Sequence, residues 1–410
     1  MFEFLTAVYL FYIFVALYFL LLYALLYFFN RKNMFFSPEI TKYYSIDVVV
    51  PCYNCEKNIA DTIRSLLDSD YRGLWKIIVV DDCSTDNSYR IMKQIARKNS
   101  RVIAVKTPKN TGNAAGAKDY GAKFSKAELI GFTDDDSSPQ KDAISKMVGF
   151  FDNPKTGAVT SMVLVKNKNN FIEKLQSREY RIIAFTRKLL GFIGAIYVTP
   201  GPLAIYRRKA FNEVGGFDKK NLTEDIEITW HIISRGYNVE LSLLSRVHTV
   251  VPENISSWFK QRIRWNIGGI QTINKYKKEF FGKGILGSFI LPFFVFSWFL
   301  GILGLIILIY RSVRGFIVNY LSVSYSLKSQ VAVLSLSDIN LIPNVLVFFG
   351  ALTLVLTFVF TFTAFRYSKD KEFKDIEFFS ILVYIFIYLL LYPVVLAVSI
   401  YKFLRGKHSW

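Results

Sequence analysis

Charge is missing from four long stretches of this chain. Leu5 to Phe29, Ile285 to Tyr310, Leu341 to Phe365 and Phe378 to Tyr401 contain no Asp, Glu, Lys or Arg. Each is long enough to cross a bilayer core of about 30 Å at ~1.5 Å per residue. That excludes an ordinary soluble protein, whose core helices seldom run so far without a charge. Cysteine is scarce as well: three among 410 residues cannot make a disulfide framework. Cys52 and Cys55 form a C-x-x-C and Cys83 ends a neighbouring predicted strand. No second C-x-x-C and no Cys/His pair supplies the remaining ligands of a zinc site, so the three read as small packing residues near a cleft. The chain also lacks a Gly-x-x-x-x-Gly-Lys loop, which excludes a P-loop nucleotidase. Acidic residues are outnumbered 32 to 51, for a net charge of +19. The basic residues are spread out, with no nucleic-acid module, so no nucleic-acid partner is expected; attraction to anionic lipid headgroups explains them more simply.

What is present divides the chain into a membrane anchor over residues 1–37, a cytosolic domain over 38–284 and a membrane region of about three helices over 285–410. The first apolar run is too long for a signal peptide, and no small-residue cleavage site precedes Arg31 and Lys32, so it reads as a retained anchor. Only Glu3 precedes it, whereas Arg31, Lys32 and Lys42 follow, which puts the next domain in the cytosol. Arg366, Lys369, Lys371 and Lys374 suit a cytosolic turn between the third and fourth spans; Arg311, Arg314 and the basic C-terminus do not fit the same parity. The stretch from Ser312 to Asn340 reads equally as an external loop or a membrane-surface segment.

Between the anchors, short β-rich runs alternate with amphipathic helical stretches, the pattern of a parallel sheet with crossover helices. Predicted strands are Ile46 to Val50, Ile77 to Val80, Val102 to Val105, Leu129 to Phe132 and Ala158 to Val163. Predicted helices lie around Ile59 to Leu67, Tyr89 to Lys98 and Ala114 to Lys126. Ligands of such α/β sheets sit beyond the carboxyl ends of the strands. Here those ends are Pro51-Cys52-Tyr53-Asn54, Asp81-Asp82 and Asp134-Asp135-Asp136. One Asp or Asn after a strand is ordinary turn chemistry. Three adjacent carboxylates repel one another, and a hard divalent cation relieves that repulsion, so Asp134 and Asp136 are the candidate ligands of Mg²⁺ or Mn²⁺.

Further on, Thr223 is a natural N-cap for a helix that begins with Glu224 and Asp225 and ends near Gly236. Carboxylates there complement the helix dipole; Asp225 could equally accept the proton of an attacking hydroxyl. Gln261, Arg264 and Trp265, spaced i, i+3, i+4, share one side of a helix, and Phe259, Ile263, Ile267 and Ile270 share the other. That pattern predicts an amphipathic helix resting its apolar face at the membrane interface.

Together these residues resemble the family-2 glycosyltransferases, and among them the membrane-bound branch of cellulose, hyaluronan, chitin and chito-oligosaccharide synthases. The resemblance is carried in order by Val50-Pro51-Cys52-Tyr53-Asn54, Val79-Val80-Asp81-Asp82, Phe132-Thr133-Asp134-Asp135-Asp136, Gly215-Gly216-Phe217-Asp218, Thr223-Glu224-Asp225 and Gln261-Arg262-Ile263-Arg264-Trp265. It implies an α/β glycosyltransferase A (Rossmann-like) fold and an inverting reaction on a nucleotide-sugar donor. It implies donor and acceptor binding by Pro51, Tyr53, Asp82, Asp134, Gly201, Glu224, Gln261, Arg264 and Trp265, metal at Asp134 and Asp136, and Asp225 as the catalytic base. Thr199 to Pro202 falls where relatives line the acceptor site. One departure is Gly112-Asn113-Ala114, where many polymer synthases have Gly-Lys-Ala. The acceptor is read as a growing polysaccharide with an exit path among the C-terminal spans; a membrane lipid or polyprenyl phosphate is the rival acceptor, and a non-catalytic nucleotide-sugar receptor a third reading.

Overall fold

The computed structural model describes residues 2–282, 284–329, 345–366 and 382–406. After helix α1 (Phe2–Asn30) the chain enters an eight-stranded sheet through β1 (Ile46–Cys52), α2 (Ile59–Leu67), β2 (Leu74–Asp81), α3 (Ser88–Lys98), β3 (Val102–Lys106), α4 (Ala114–Ala122) and β4 (Leu129–Phe132). Next come β5 (Ser138–Pro139), α5 (Ser145–Val148), β6 (Thr156–Val165), α6 (Phe171–Gly191), β7 (Ala204–Arg207), α7 (Arg208–Glu213), α8 (Glu224–Ser234), β8 (Asn238–Thr249) and α9 (Ile255–Tyr276). The membrane-type helices α10 (Leu291–Ser329), α11 (Val345–Arg366) and α12 (Leu389–Leu404) close the chain.

The sheet order is β3-β2-β1-β4-β7-β6-β8-β5. Strands β1 to β4 are mutually parallel, as their apolar runs and crossover helices predict. The second half is not. β7 runs antiparallel to both β4 and β6, and β5 antiparallel to β8, so the expected parallel sheet is a mixed one. A strand as short as β7 can reverse the sheet because both its neighbours satisfy its backbone. β1 is buried throughout and shows why the sheet is covered on both faces: Val49 packs into one core, with Ile78, Val80 and Phe132, while Val48 and Val50 pack into the other, with Ile59, Ile63 and Met92.

Four helices are long and apolar enough to cross a membrane: Thr6–Asn30, Leu286–Ser329, Val347–Arg366 and Tyr384–Leu404. The second continues through Ser312 to Ser329 as helix, neither the loop nor the separate surface segment expected there; residues 330–340 lie outside the described residues, as do Lys369, Lys371 and Lys374. The amphipathic helix is α9, capped by Asn254, which accepts from the Ser257 amide at 2.9 Å. On its apolar face Ile263 and Ile267 pack with Trp258 against Tyr384, Tyr388 and Val395 of the last membrane helix.

Candidate active site

The strand ends and α9 enclose a cavity of about 660 Å³, within the size range of small-molecule sites. Pro51, Tyr53, Asp82, Asp134, Asp136, Gly201, Glu224, Asp225, Gln261, Arg264 and Trp265 all line it. Acidic clusters ninety residues apart in the chain therefore face one space. None of the described residues of α10 to α12 lines this cavity, and the seam between α9 and the last membrane helix is filled by Trp258 on Tyr388, ring centroids 5.1 Å apart.

Asp82 is the hub of one wall. Its carboxylate accepts from the Thr111 amide (3.0 and 3.1 Å) and from the hydroxyls of Thr111 (2.7 Å) and Thr107 (2.8 Å), and so shapes the loop before α4. Cys52 and Cys55, expected as separate packing thiols, are joined in a disulfide, and their sulfurs lie beside the Asp135 carboxylate. Cys83 is a free thiol against Thr107. Within the triple aspartate the three side chains diverge. Burial, then repulsion from Asp136 and Asp134, pushes Asp135 up to about 7. Burial and the Asp134 charge push Asp136 up to about 6, although Thr249 donates to it at 3.0 Å. Asp134 faces Gly201 so closely that a β-carbon there would collide with its carboxylate, which is why glycine stands at that position.

Opposite the triple aspartate, α8 begins. Thr223 occupies the N-cap position, but its hydroxyl bonds Asn221 (3.3 Å) rather than an α8 amide, because its side chain is turned against Gly268 of α9. Glu224 and Asp225 are adjacent yet opposite in character. Burial would raise Glu224, but the ammonium of Lys118, 2.8 Å away, outweighs it and holds the carboxylate below its usual range. For Asp225 burial and the neighbouring Glu224 charge dominate and push it up to about 7.

Lys118 is a residue the sequence reading passed over. It sits inside α4, 3% exposed, with its ammonium also 3.4 Å from Asp134, so it ties the strand-end acids to the start of α8. Burial would lower it; Glu224 and Asp134 together hold it above the ordinary lysine value. A lone charge in the small-residue run Ala114-Ala115-Gly116-Ala117-Lys118 was its signal: a helix of small residues is closely packed, so its cation needs buried partners. Arg262 was passed over too. Its guanidinium bonds Glu179 (2.6 Å) and Gln261 (2.6 Å) and lies 3.9 Å from the ring centre of Trp265, so it orients two of the three motif side chains.

Residues 47–215 match the family model Glycosyl transferase family 2. Poly-beta-1,6-N-acetyl-D-glucosamine synthase of Staphylococcus aureus is 29% identical over 72% of this chain and 70% of its own length. The synthase of the same name from Staphylococcus epidermidis is 30% identical over 64% of each chain. The solved mannosyltransferase PcManGT from Pyrobaculum calidifontis, in complex with GDP-Man and Mn²⁺, shares the fold with a TM-score of 0.59 at 19% identity, over 96% of this chain and 98% of that one. Residues 47–215 thus make a family-2 glycosyltransferase domain, carried on a glycosyltransferase A fold beside four helices that can span a membrane.

Proposed function

We propose that the chain extends a polysaccharide at the cytosolic face of the membrane by inverting transfer from a nucleotide sugar, a UDP-sugar being the donor, with translocation of the product across the membrane. The observation that carries this reading is the single cavity holding the triple aspartate, Asp225 and the Gln261/Arg264/Trp265 face, together with likeness over most of its length to a synthase of poly-N-acetylglucosamine.

The reaction is one displacement. The acceptor hydroxyl oxygen bonds the anomeric carbon while the bond from that carbon to the donor phosphate oxygen breaks; the electron pair leaves on the nucleoside diphosphate and the hydroxyl proton passes to Asp225. Attack from the face opposite the leaving group inverts the anomeric centre. Asp225 suits the task because its raised value puts proton affinity near the working pH. In this reading Arg264 pairs with the diphosphate, Trp265 stacks on a sugar ring and Gln261 bonds its hydroxyls. Asp134 and Asp136 fit Mg²⁺ or Mn²⁺: three carboxylates crowd one turn, where burial first and mutual repulsion second raise Asp135 and Asp136, and oxygen ligands of this kind suit a hard divalent ion. A bound divalent ion supplies charge neutralisation for the diphosphate.

The test is to incubate the purified chain with labelled UDP-N-acetylglucosamine, UDP-glucose and GDP-mannose, with Mn²⁺, Mg²⁺ or chelator, and to size the product. Long chains that need the divalent ion are expected. A product carrying one sugar on a lipid would replace the polymer reading with its rival.

The pH dependence has a definite sign. Protonated Asp225 cannot accept a proton, so kcat/KM at saturating divalent ion is expected to be full above about 7 and to fall as the pH drops through that value. A profile that stays flat down to about pH 5, where an ordinary aspartate is still ionised, would remove Asp225 from the role.

A further inference from the structure

Tyr180, Ile183, Ala184 and Arg187 recur a turn apart on α6 and all line the cavity. Arg187 is 8% exposed. Its Nε is buried without a hydrogen-bond partner, and among the described residues the guanidinium meets only the ring of Tyr197, 5.7 Å from the centroid. The buried cations Lys118 and Arg262 are compensated, Lys118 by Glu224 and Asp134 and Arg262 by Glu179. A guanidinium withdrawn from water with no counter-charge is costly, and its fork of donors matches a phosphate.

Position separates this cation from the donor diphosphate. Tyr53 and Asp82, proposed for the nucleotide, follow β1 and β2, whereas α6 packs on β6 and β8, across β4 and β7 in the sheet. Tyr197, under Arg187, leads into Thr199 to Pro202, where the Thr199 hydroxyl bonds Thr229 of α8 at 2.8 Å, behind Asp225. The same corner touches membrane helices: Tyr27 of α1 lies on Phe185 (5.8 Å) and Phe294 of α10 on Tyr197 (4.9 Å). Val163, Ile183 and Ala184 make the adjoining lining apolar. This corner therefore adjoins both the proposed acceptor side and the membrane-type helices.

We infer that Arg187 marks a second anion subsite in the cavity, which takes the phosphate of a membrane-borne lipid acting as acceptor or primer. This rests on the proposed reading of Asp225 as the acceptor's base. Arg187 holds the phosphate, the apolar wall holds the first part of the lipid tail, and the acceptor is thereby anchored at the membrane end of the site while the donor occupies the other.

The test measures binding of farnesyl phosphate, farnesol and inorganic phosphate, each alone, to the full chain in detergent, with UDP titrated in parallel. Farnesyl phosphate is expected to bind roughly tenfold or more tightly than either farnesol or inorganic phosphate. Arg187→Ala and the similarly shaped, neutral Arg187→Gln should abolish the preference over farnesol, Arg187→Lys should keep part of it, and UDP affinity should be unchanged in all three. Equal binding of farnesyl phosphate and farnesol, or a preference that survives loss of the guanidinium, overturns the subsite. Inorganic phosphate binding as tightly as farnesyl phosphate overturns the lipid as its source, and a parallel loss of UDP affinity reassigns Arg187 to the donor. Failure of the wild-type chain to bind any nucleoside diphosphate would instead sink the glycosyltransfer reading, which keeps the two failures apart.

Discussion

Replacing Asp225 by Asn is expected to lower turnover by about 10²–10⁴-fold, the range typical of a lost general base, with donor affinity kept. The asymmetry follows from the geometry. Asp225 and Glu224 are neighbours in sequence, but Lys118 claims Glu224 at 2.8 Å and fixes it as an anion, which leaves Asp225 as the carboxyl whose affinity for a proton is raised. Two carboxylates pushed apart in this way suit different roles: Glu224 holds α8 to α4, and Asp225 is the one proposed to exchange a proton. Asn keeps the size of the side chain and can still accept from the Ile226 amide, which lies 2.9 Å from the Asp225 oxygen, so α8 has no reason to move. The measurement is kcat and donor Kd side by side. Equal losses in both would put Asp225 on the donor, and unchanged kcat would place the base elsewhere.

The first half of the sheet was legible because each of its strands is a short apolar run between polar stops, and β4 was placed residue for residue at Leu129–Phe132. β7 was not. Ala204 to Arg207 is four residues long, and what makes it a strand is pairing with β4 and β6, which lie far away in sequence. The helical spacing of Gln261, Arg264 and Trp265 correctly put them on one face, since that follows from periodicity alone. What covers Ile263 and Ile267 on the other face depends on where the last membrane helix docks, which no local pattern reveals.

The candidate site divides along the same line. Asp134 and Asp136 follow a strand end, Asp225 stands at a helix start and the α9 motif repeats at helical spacing, all places where the sequence announces itself. Lys118 pairs with Glu224, 106 residues away, and Glu179 with Arg262, 83 residues away, and charges that balance one another over such distances cannot be found by spacing. The Cys52 to Cys55 bridge was missed for a different reason: a C-x-x-C spacing is compatible with several states, and the composition argument addressed frameworks, not a single closed turn.

The buried pair Glu179–Arg262 carries the second large expectation. Arg262 and Glu179 are each 2% exposed at the side chain. Tyr388 donates to Glu179 at 2.6 Å and Tyr392 also donates to it, while the Arg262 Nε reaches the Tyr392 hydroxyl at 3.3 Å. One carboxylate thus joins α6, α9 and the last membrane helix, and the same guanidinium holds Gln261 and Trp265 in place. Removing one partner of such a pair leaves the other charge buried, at a cost of about 3–5 kcal/mol. Glu179→Gln and Arg262→Met are each expected to lower stability by that order and to raise the apparent KM for donor and acceptor, because α9 loses its fixed position. The double variant should be more stable than either single one, since it buries no unpaired charge, yet it should not regain the KM, because Gln261 and Trp265 still lack their support. Thermal melts of the four proteins in one detergent, with KM for each substrate, read out both halves. Additive losses of stability would mean that the two side chains do not act as a pair, and a restored KM in the double variant would mean that Arg262 does not position Gln261 and Trp265.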